Sequence, residues 1–173
     1  MTARQIPTVH DWAGGGDKFR ELTRVFYEKV RRDALLEPVF RHMSPTHAEH
    51  VAAFLAESFG GEKRFTAMYG EQSMVHVVGK HLDRHLTEAH RRRWVELILQ
   101  SADEIGMPSD PEFRGVLAGH LEWGTRFAVL MSGQSENPMT AADRVPQFGW
   151  GDFGGPFGYG ESVFRRPAPD GEG

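Results

Sequence analysis

Cysteine is absent from this chain of 173 residues. Its absence excludes disulfides, thiolate metal ligands, iron–sulfur clusters and cysteine nucleophiles. The chain also lacks any run of the roughly 20 apolar residues that a membrane-spanning helix needs. The first residues, MTARQIPTVHDW, do not contain the apolar run of a secretory signal. We therefore expect a cytoplasmic protein that does not enter a membrane.

A strong charge of one sign is also missing, since 20 basic and 24 acidic residues give a net charge of −4. This balance provides no general attraction to nucleic acid or to an anionic membrane, and neither is expected as a partner. The arginines at 91–93 are interpreted as solvated helix surface. What the chain does have is nine histidines, which is many for its length, and histidine is the commonest metal-ligating side chain.

Helical periodicity dominates the first part of the chain. Residues 9–12 predict a short helix that three glycines end. Asp17 is then expected to cap a longer amphipathic helix that ends near Asp33. Its inward face is predicted from apolar residues at three- and four-residue spacing, which are Phe19, Leu22, Phe26 and Val30. Residues 35–40 follow as an apolar corner that Pro38 interrupts.

A second amphipathic helix is predicted to begin at Ser44-Pro45, with serine as the cap and proline in the first turn. Gly60-Gly61 ends it. The residues on its inward face are His47, Val51, Phe54, Leu55 and Ser58. Residues 62–80 are weakly periodic, so we predict a loop with a single turn of helix there. A loop of that length is usually functional, and this one leads to His81.

Two more helices are predicted further along the chain. Thr87 caps the first of them, and Gly106 and Pro108 stop it. Asp110-Pro111 starts the second. The four main helices would form two antiparallel pairs. Since no strand is predicted, the expected fold class is all-α.

The composition changes at Ser132, after which glycine, proline and aromatic residues dominate. We therefore predict a helical domain over residues 1–131 and a partly irregular tail over residues 132–173. Two interpretations of the tail stay open. It either folds back over the core through Trp150 and Phe153 or remains mobile.

Several residues that indicate little alone would together suit a cofactor site. His81 alone is most simply a surface histidine, and with His85 it could bind zinc only if a third ligand were added. Tyr27, His47 and Trp94 are each expected to face inward, and each can donate one hydrogen bond. One neutral imidazole and several donors in an apolar cavity would suit a flat macrocycle that binds a diatomic ligand.

Five stretches carry a resemblance to a known family. They are VHDWAGGGDKF, TRVFYEKV, LLEPVF, HVAAFLAESFGG and KHLDRHLTEAHRRRW. In this order the chain resembles the group II truncated haemoglobins, the bacterial 2-on-2 globins, from about Thr8 to Met131. In that family the proximal iron ligand precedes a tryptophan by thirteen residues, which is the spacing of His81 to Trp94. The resemblance implies a truncated globin-like two-over-two helical sandwich and a non-covalently held haem b.

The resemblance also implies roles for individual residues. His81 would be the proximal ligand of the haem iron. The distal side would be lined by Tyr27, His47, Val51 and Trp94, of which Tyr27, His47 and Trp94 would contact the ligand. Phe40 would pack on the haem face, and the expected cofactor contacts also include Phe54, Lys80 and His85. Many group II members have a small residue where this chain has His47, so that histidine could hydrogen-bond the ligand or coordinate the iron itself.

Reversible binding of oxygen, carbon monoxide and nitric oxide is the function that the resemblance implies. Storage or transport of oxygen needs only binding. Nitric oxide dioxygenation or peroxidase chemistry would make the protein an enzyme. Either would require peroxide or an external reductase, because the sequence shows no flavin or nicotinamide module. The sequence is compatible with a monomer or a homodimer.

Two other classes of function compete with this interpretation. A non-haem metal-binding bundle of the di-iron type needs histidines and carboxylates at four-residue spacing on facing helices. Here the residues four positions after His47, His50 and His90 are valine, phenylalanine and tryptophan, which argues against such a bundle. A helical interaction module, with the aromatic tail as its binding element, is the second alternative. The absorption spectrum of the purified protein separates all three.

Overall fold

The computed structural model describes residues 5–156 and Tyr159. These residues contain helices and irregular segments but no strand, as the sequence predicts. The α-helices are α1 Val9–Ala13, α2 Gly15–Val30, α3 Glu37–Phe40, α4 His47–Ser58, α5 Arg64–Tyr69, α6 Ser73–Gly79, α7 Glu88–Glu104 and α8 Pro111–Ser132. The remaining residues of the predicted tail, 157–158 and 160–173, lie outside the described part of the chain.

The ends of α2 differ from the prediction. Gly14, not Asp17, occupies the N-cap, because α1 ends in a left-handed turn there with φ 109°. Asp17 lies in the first turn of α2 and pairs with Arg20. The helix ends at Val30 rather than near Asp33. The carboxylate of Asp33 instead accepts the N–H groups of residues 35 and 36, and this turn leads into the short helix α3.

The start of α4 also corrects the prediction. Ser44 does not cap the helix; its hydroxyl contacts the Thr46 hydroxyl at 3.1 Å. Thr46 is the N-cap residue, and its side chain makes no capping bond. The helix therefore begins at His47 itself. At the other end Gly61 is needed for packing, because a Cβ there would lie 2.6 Å from the His10 ring.

The prediction of a loop with a single turn of helix at residues 62–80 is wrong, because most of this segment is helical. It forms α5, a 3₁₀ turn at Gly70–Gln72, and α6. The buried carboxylate of Glu57 on α4 anchors the start of α5, since it accepts the Thr66 N–H at 2.9 Å as well as the Thr66 hydroxyl. Both helices are too short to show a clear 3.6-residue period, so tertiary contacts decide this segment.

The long helices α7 and α8 begin where the sequence predicts. The Thr87 hydroxyl accepts the His90 N–H, and the His90 ring accepts the Thr87 N–H in return. Asp110 caps α8 by accepting the Phe113 N–H at 3.0 Å. Helix α2 packs against both α4 and α7, and α7 packs against α8. Their apolar faces form one core, which includes Phe19, Leu22, Phe26, Leu97, Ile98, Phe113 and Leu117.

The chain after α8 returns across the helices, as one of the two interpretations of the tail expects. The Phe148 N–H donates to the Ser58 carbonyl at 2.7 Å. The Trp150 indole N–H donates to the Pro7 carbonyl at 2.7 Å, and the Phe153 ring lies over Gly115. Within the described residues, no helix is long and apolar enough to cross a membrane.

Candidate functional site

A cavity of about 410 Å³ lies among α2, α4, α6, α7 and α8. That volume and its mainly apolar lining are typical of a small-molecule or cofactor site. The structure brings to it eight of the nine predicted site residues, which are Tyr27, Phe40, His47, Val51, Phe54, Lys80, His81 and Trp94. His85 is not among the lining residues.

His81 follows directly after α6, so a helix end and not a long loop places it at the cavity. Its backbone N–H donates to the Val78 carbonyl at 2.8 Å. Its ring Nδ1 lies 2.8 Å from the Val77 carbonyl, which can only accept, so Nδ1 carries the proton. Burial lowers the pKa of His81, although the Val77 carbonyl opposes this. The ring is therefore neutral at pH 7, and Nε2 keeps a lone pair for a metal.

Tyr27 and His47 form a hydrogen-bonded pair in the cavity wall. The Tyr27 hydroxyl lies 2.9 Å from His47 Nε2. Tyr27 is only 2% exposed, and burial raises its pKa, so it retains its proton. Burial, with a smaller effect of nearby positive groups, lowers the pKa of His47 to about 4. Both side chains are thus neutral at pH 7, with the phenol as donor and the imidazole as acceptor.

Aromatic rings hold this pair in place. Phe40 meets the Tyr27 ring edge-on, with ring centres 5.7 Å apart. Trp94 meets Phe26 in the same way at 4.8 Å. Within the described residues no group accepts a hydrogen bond from the Trp94 indole N–H. That donor therefore remains available to a molecule in the cavity.

Further polar residues line the cavity that the sequence did not single out as site residues. Five of them are histidines, which are His42, His50, His76, His90 and His120. Together with His47 and His81, seven of the nine histidines line the cavity. The Tyr69 hydroxyl bonds His50 Nδ1 at 2.9 Å, and the Tyr69 ring stacks on His76 with centres 3.7 Å apart. Arg84 adds a second cation to the lining besides Lys80. The unusually high histidine content was the one sequence signal for this clustering.

Arg91 corrects the interpretation of residues 91–93 as solvated surface. It is 5% exposed and lines the cavity. Its guanidinium bonds Glu88 at 2.9 Å and reaches Glu122 on α8 at 3.0 Å. A buried guanidinium needs such paired carboxylates to offset the loss of solvation. This ion pair fixes α7 against α8 one turn before Trp94.

His85 lies apart from the other predicted site residues. Its ring is exposed, and its backbone has φ 50°, which is uncommon for a residue other than glycine. The His85 N–H donates to the Ser132 carbonyl at 3.0 Å. The backbone of His85 thus has a structural partner, while its side chain is not among those that line the cavity. A contact of His85 with the haem edge stays a prediction.

His120 is the most deeply buried histidine at the cavity, at 3% exposed. Neither ring nitrogen has a hydrogen-bond partner within the described residues. The rings of Phe148 and Phe59 surround it at 4.6 and 4.9 Å. Burial lowers its pKa to about 4, so it is neutral at pH 7. His120 lies on α8, and nothing in the sequence identified it as a cavity residue.

The lining fits a haem group better than a bare metal ion. It combines one neutral imidazole with a free Nε2, apolar and aromatic walls, and hydrogen-bond donors. Among the described residues, no group of three histidine, aspartate or glutamate side chains could hold a metal ion. The zinc and di-iron alternatives therefore lack a ligand set there.

Comparison with known proteins gives consistent results. A family model described as "Bacterial-like globin" matches residues 8–115. A curated relative, Group 2 truncated hemoglobin YjbI of Bacillus subtilis (strain 168), is 27% identical over 115 residues, which cover 66% of this chain and 83% of the relative.

Solved structures show the same likeness. A hemoglobin from Chloroflexus aurantiacus is 26% identical with a TM-score of 0.60, covering 74% of this chain and 99% of its own. A Group II 2-on-2 hemoglobin from Agrobacterium tumefaciens, 20% identical, has a TM-score of 0.60 over 78% of this chain and 99% of its own. The predicted two-over-two helical sandwich is confirmed.

Proposed function

The chain belongs to the bacterial-like globin family, and we propose that it holds haem b through His81 and binds oxygen and other diatomic ligands reversibly. One observation carries this proposal. A neutral imidazole, with Nδ1 bonded to the Val77 carbonyl, shares a cavity with the donors of Tyr27 and Trp94. Haem, when bound, supplies the iron at which a diatomic ligand coordinates.

His81 would hold the iron through Nε2. The bond from Nδ1 to Val77 fixes the tautomer and the orientation of the ring, and it makes Nε2 more basic. The apolar residues Val51 and Phe54 and the ring of Phe40 would contact the macrocycle. Lys80 and Arg84 add positive charge to the lining, which suits the two carboxylates of haem b.

Tyr27, His47 and Trp94, called here the distal group, would act on the ligand. A coordinated diatomic ligand that gains negative charge is stabilised by N–H and O–H donors. Trp94 has a free N–H for this purpose, and Tyr27 can turn its hydroxyl from His47 to the ligand. A hydrogen bond to a charged group is worth about 1.5–3 kcal/mol, or roughly ten- to a hundredfold in a rate of release. His47 would then modulate how readily Tyr27 donates.

Oxygen binding is the primary role in this proposal. The cavity supplies donors for a ligand, and storage or transport of oxygen needs only binding. Nitric oxide or peroxide chemistry would in addition need electrons from an external reductase or from the substrate. Rapid mixing of the oxygenated protein with nitric oxide, followed by measurement of nitrate, tests that second use.

The absorption spectrum of the purified protein titrated with haemin tests the proposal. We expect an intense Soret band that saturates at one haemin per chain. It should shift on reduction with dithionite and again on addition of carbon monoxide. A chain whose spectrum with excess haemin does not differ from that of free haemin would contradict the proposal and favour a helical interaction module.

A further inference from the structure

We propose that residues 132–137, called here the clamp segment, position the proximal histidine through hydrogen bonds to the chain before and after it. This inference rests on the proposed function, because it concerns how His81 is presented to iron. The clamp segment includes the last residue of α8 and the start of the chain beyond it. It contacts residues 75–86, called here the proximal segment, which contains His81.

Ser132 makes the first contact. Its carbonyl accepts the His85 N–H at 3.0 Å, and its hydroxyl oxygen accepts the Leu86 N–H at 2.9 Å. The hydroxyl proton is directed to the Val129 carbonyl at 2.7 Å, so the oxygen lone pair is left to face Leu86. Ser132 is 1% exposed. Losing hydrogen bonds at such a buried position is costly, because the partner groups cannot form hydrogen bonds to water instead.

The backbone between His81 and α7 depends on these bonds. Asp83 and His85 both have left-handed backbones, with φ values of 56° and 50°. Residues other than glycine rarely adopt this conformation, because the side chain then crowds the backbone. The Asp83 N–H donates to the Gln134 carbonyl at 3.1 Å, and the His85 N–H to Ser132. The clamp segment therefore supplies a partner at each strained position, which maintains a backbone that local preference does not favour.

Asn137 makes the contact on the other side of His81. Its Nδ2 donates to the Val75 carbonyl at 2.8 Å, while its Oδ1 accepts the Met139 N–H at 3.0 Å. Val75 belongs to α6, and Val77 of the same helix offers the carbonyl that accepts the His81 Nδ1–H at 2.8 Å. The clamp segment thus fixes both the helix that orients the imidazole and the loop that leaves it.

Asn137 and Ser132 act here as positioning residues and do not line the part of the cavity that takes the ligand. If they set the orientation of His81, loosening them changes the bond between Nε2 and iron. Partners of a metal-ligating histidine alter affinity by about 10–100-fold. A residue one step further out, such as Asn137, is expected near the lower end of that range.

Asn137→Asp and Asn137→Ala test the proposal in the haem-loaded protein. The aspartate keeps the volume and the acceptor for Met139, but it sets a carboxylate oxygen against the Val75 carbonyl. We expect a normal Soret band in both variants, a shifted iron–histidine stretching frequency in resonance Raman spectra of the reduced protein, and about tenfold faster haem loss. A shift in Asn137→Asp alone would reflect charge and would overturn the proposal.

Ser132→Ala is the second variant, with Ser101→Ala as its matched control. Ser101 is also a buried helical serine whose hydroxyl donates to a carbonyl of its own helix, that of Leu97 at 2.8 Å, but among the described residues its hydroxyl accepts no hydrogen bond from a loop N–H. We expect the frequency to shift for Ser132→Ala and to stay unchanged for Ser101→Ala. Unshifted frequencies in Ser132→Ala and both Asn137 variants overturn the clamp alone. A wild-type chain without a Soret band overturns both proposals.

Discussion

Tyr27, His47 and Trp94 stand on helices of 16, 12 and 17 residues, whereas His81 follows a helix of seven. The distal group is held by contacts between side chains, such as the ring pairs of Trp94 with Phe26 and of Tyr27 with Phe40. The proximal segment is held by backbone hydrogen bonds, two of which reach residues about fifty positions away.

Because of this difference, substitutions in the distal group and in the proximal segment should have different effects. Substituting a distal side chain removes one donor but leaves the helix that carries it intact. The proximal segment has less helix to support it, so its geometry depends on remote partners such as Ser132 and Asn137. We therefore expect distal substitutions to alter ligand rates and proximal ones to alter haem affinity.

His81→Ala should have the largest effect, because it removes the only proposed iron ligand. We expect haem dissociation at least about a hundredfold faster, which exceeds the effect of losing a residue that only hydrogen-bonds the ligating histidine. Transfer of haem to an excess of an acceptor globin measures this. His85→Asn is the control, since asparagine tolerates the left-handed backbone at this position and the His85 ring does not line the cavity. An ordinary five-coordinate reduced spectrum in His81→Ala would disprove the assignment.

Trp94→Phe should leave haem in place and accelerate oxygen release by about ten- to a hundredfold, because the free indole N–H is lost. Stopped-flow displacement of oxygen by carbon monoxide gives the rate. Trp123→Phe makes the same chemical change at another cavity-lining tryptophan, which is 38% exposed, and should change the rate much less. Equal rates for the wild type and Trp94→Phe would remove this tryptophan from the distal group.

His47 should make the free energy of unfolding of the haem-free protein depend on pH in the acid range. Iron makes no contribution in the haem-free protein. The His47 pKa of about 4 lies below the ordinary 6.5, so the unfolded chain binds the proton more tightly. Stability that is present above pH 6.5 is therefore lost as the pH falls towards 4, by up to about 1.4 kcal/mol per pH unit. Urea unfolding of His47→Leu should show a shallower loss over this window. Parallel pH profiles would contradict the burial of a neutral His47.

The Tyr27–His47 bond should give the smallest effect. A double-mutant cycle with Tyr27→Phe and His47→Leu measures the coupling of the two side chains in the free energy of unfolding. We expect about 0.5–1.5 kcal/mol, as for an ordinary hydrogen bond between neutral groups. Additive effects would mean that the 2.9 Å contact contributes no stability, and Tyr27 would then be free to donate to a ligand at no cost.

Features with local causes could be predicted from the sequence. Thr87 and Asp110 cap helices through residues only three positions away, so the motifs alone locate α7 and α8. The resemblance located His81, Tyr27, His47 and Trp94, and the structure gathers them at one cavity. His85 shows the limit, because the backbone turns left-handed there and its side chain is not among those that line the cavity.

The long helices and their inward faces follow from local signals in the sequence, because caps and periodicity act over a few residues. Three features depend instead on tertiary packing: the two short helices in residues 62–80, the burial of Arg91 between two glutamates, and the hydrogen bonds of residues 132–137 to the proximal segment. Each of these depends on groups far apart in the chain, such as Glu57 with Thr66, Arg91 with Glu122 and Asn137 with Val75. A burial cost or a strained backbone at such places is offset only by a partner that packing brings within hydrogen-bond distance.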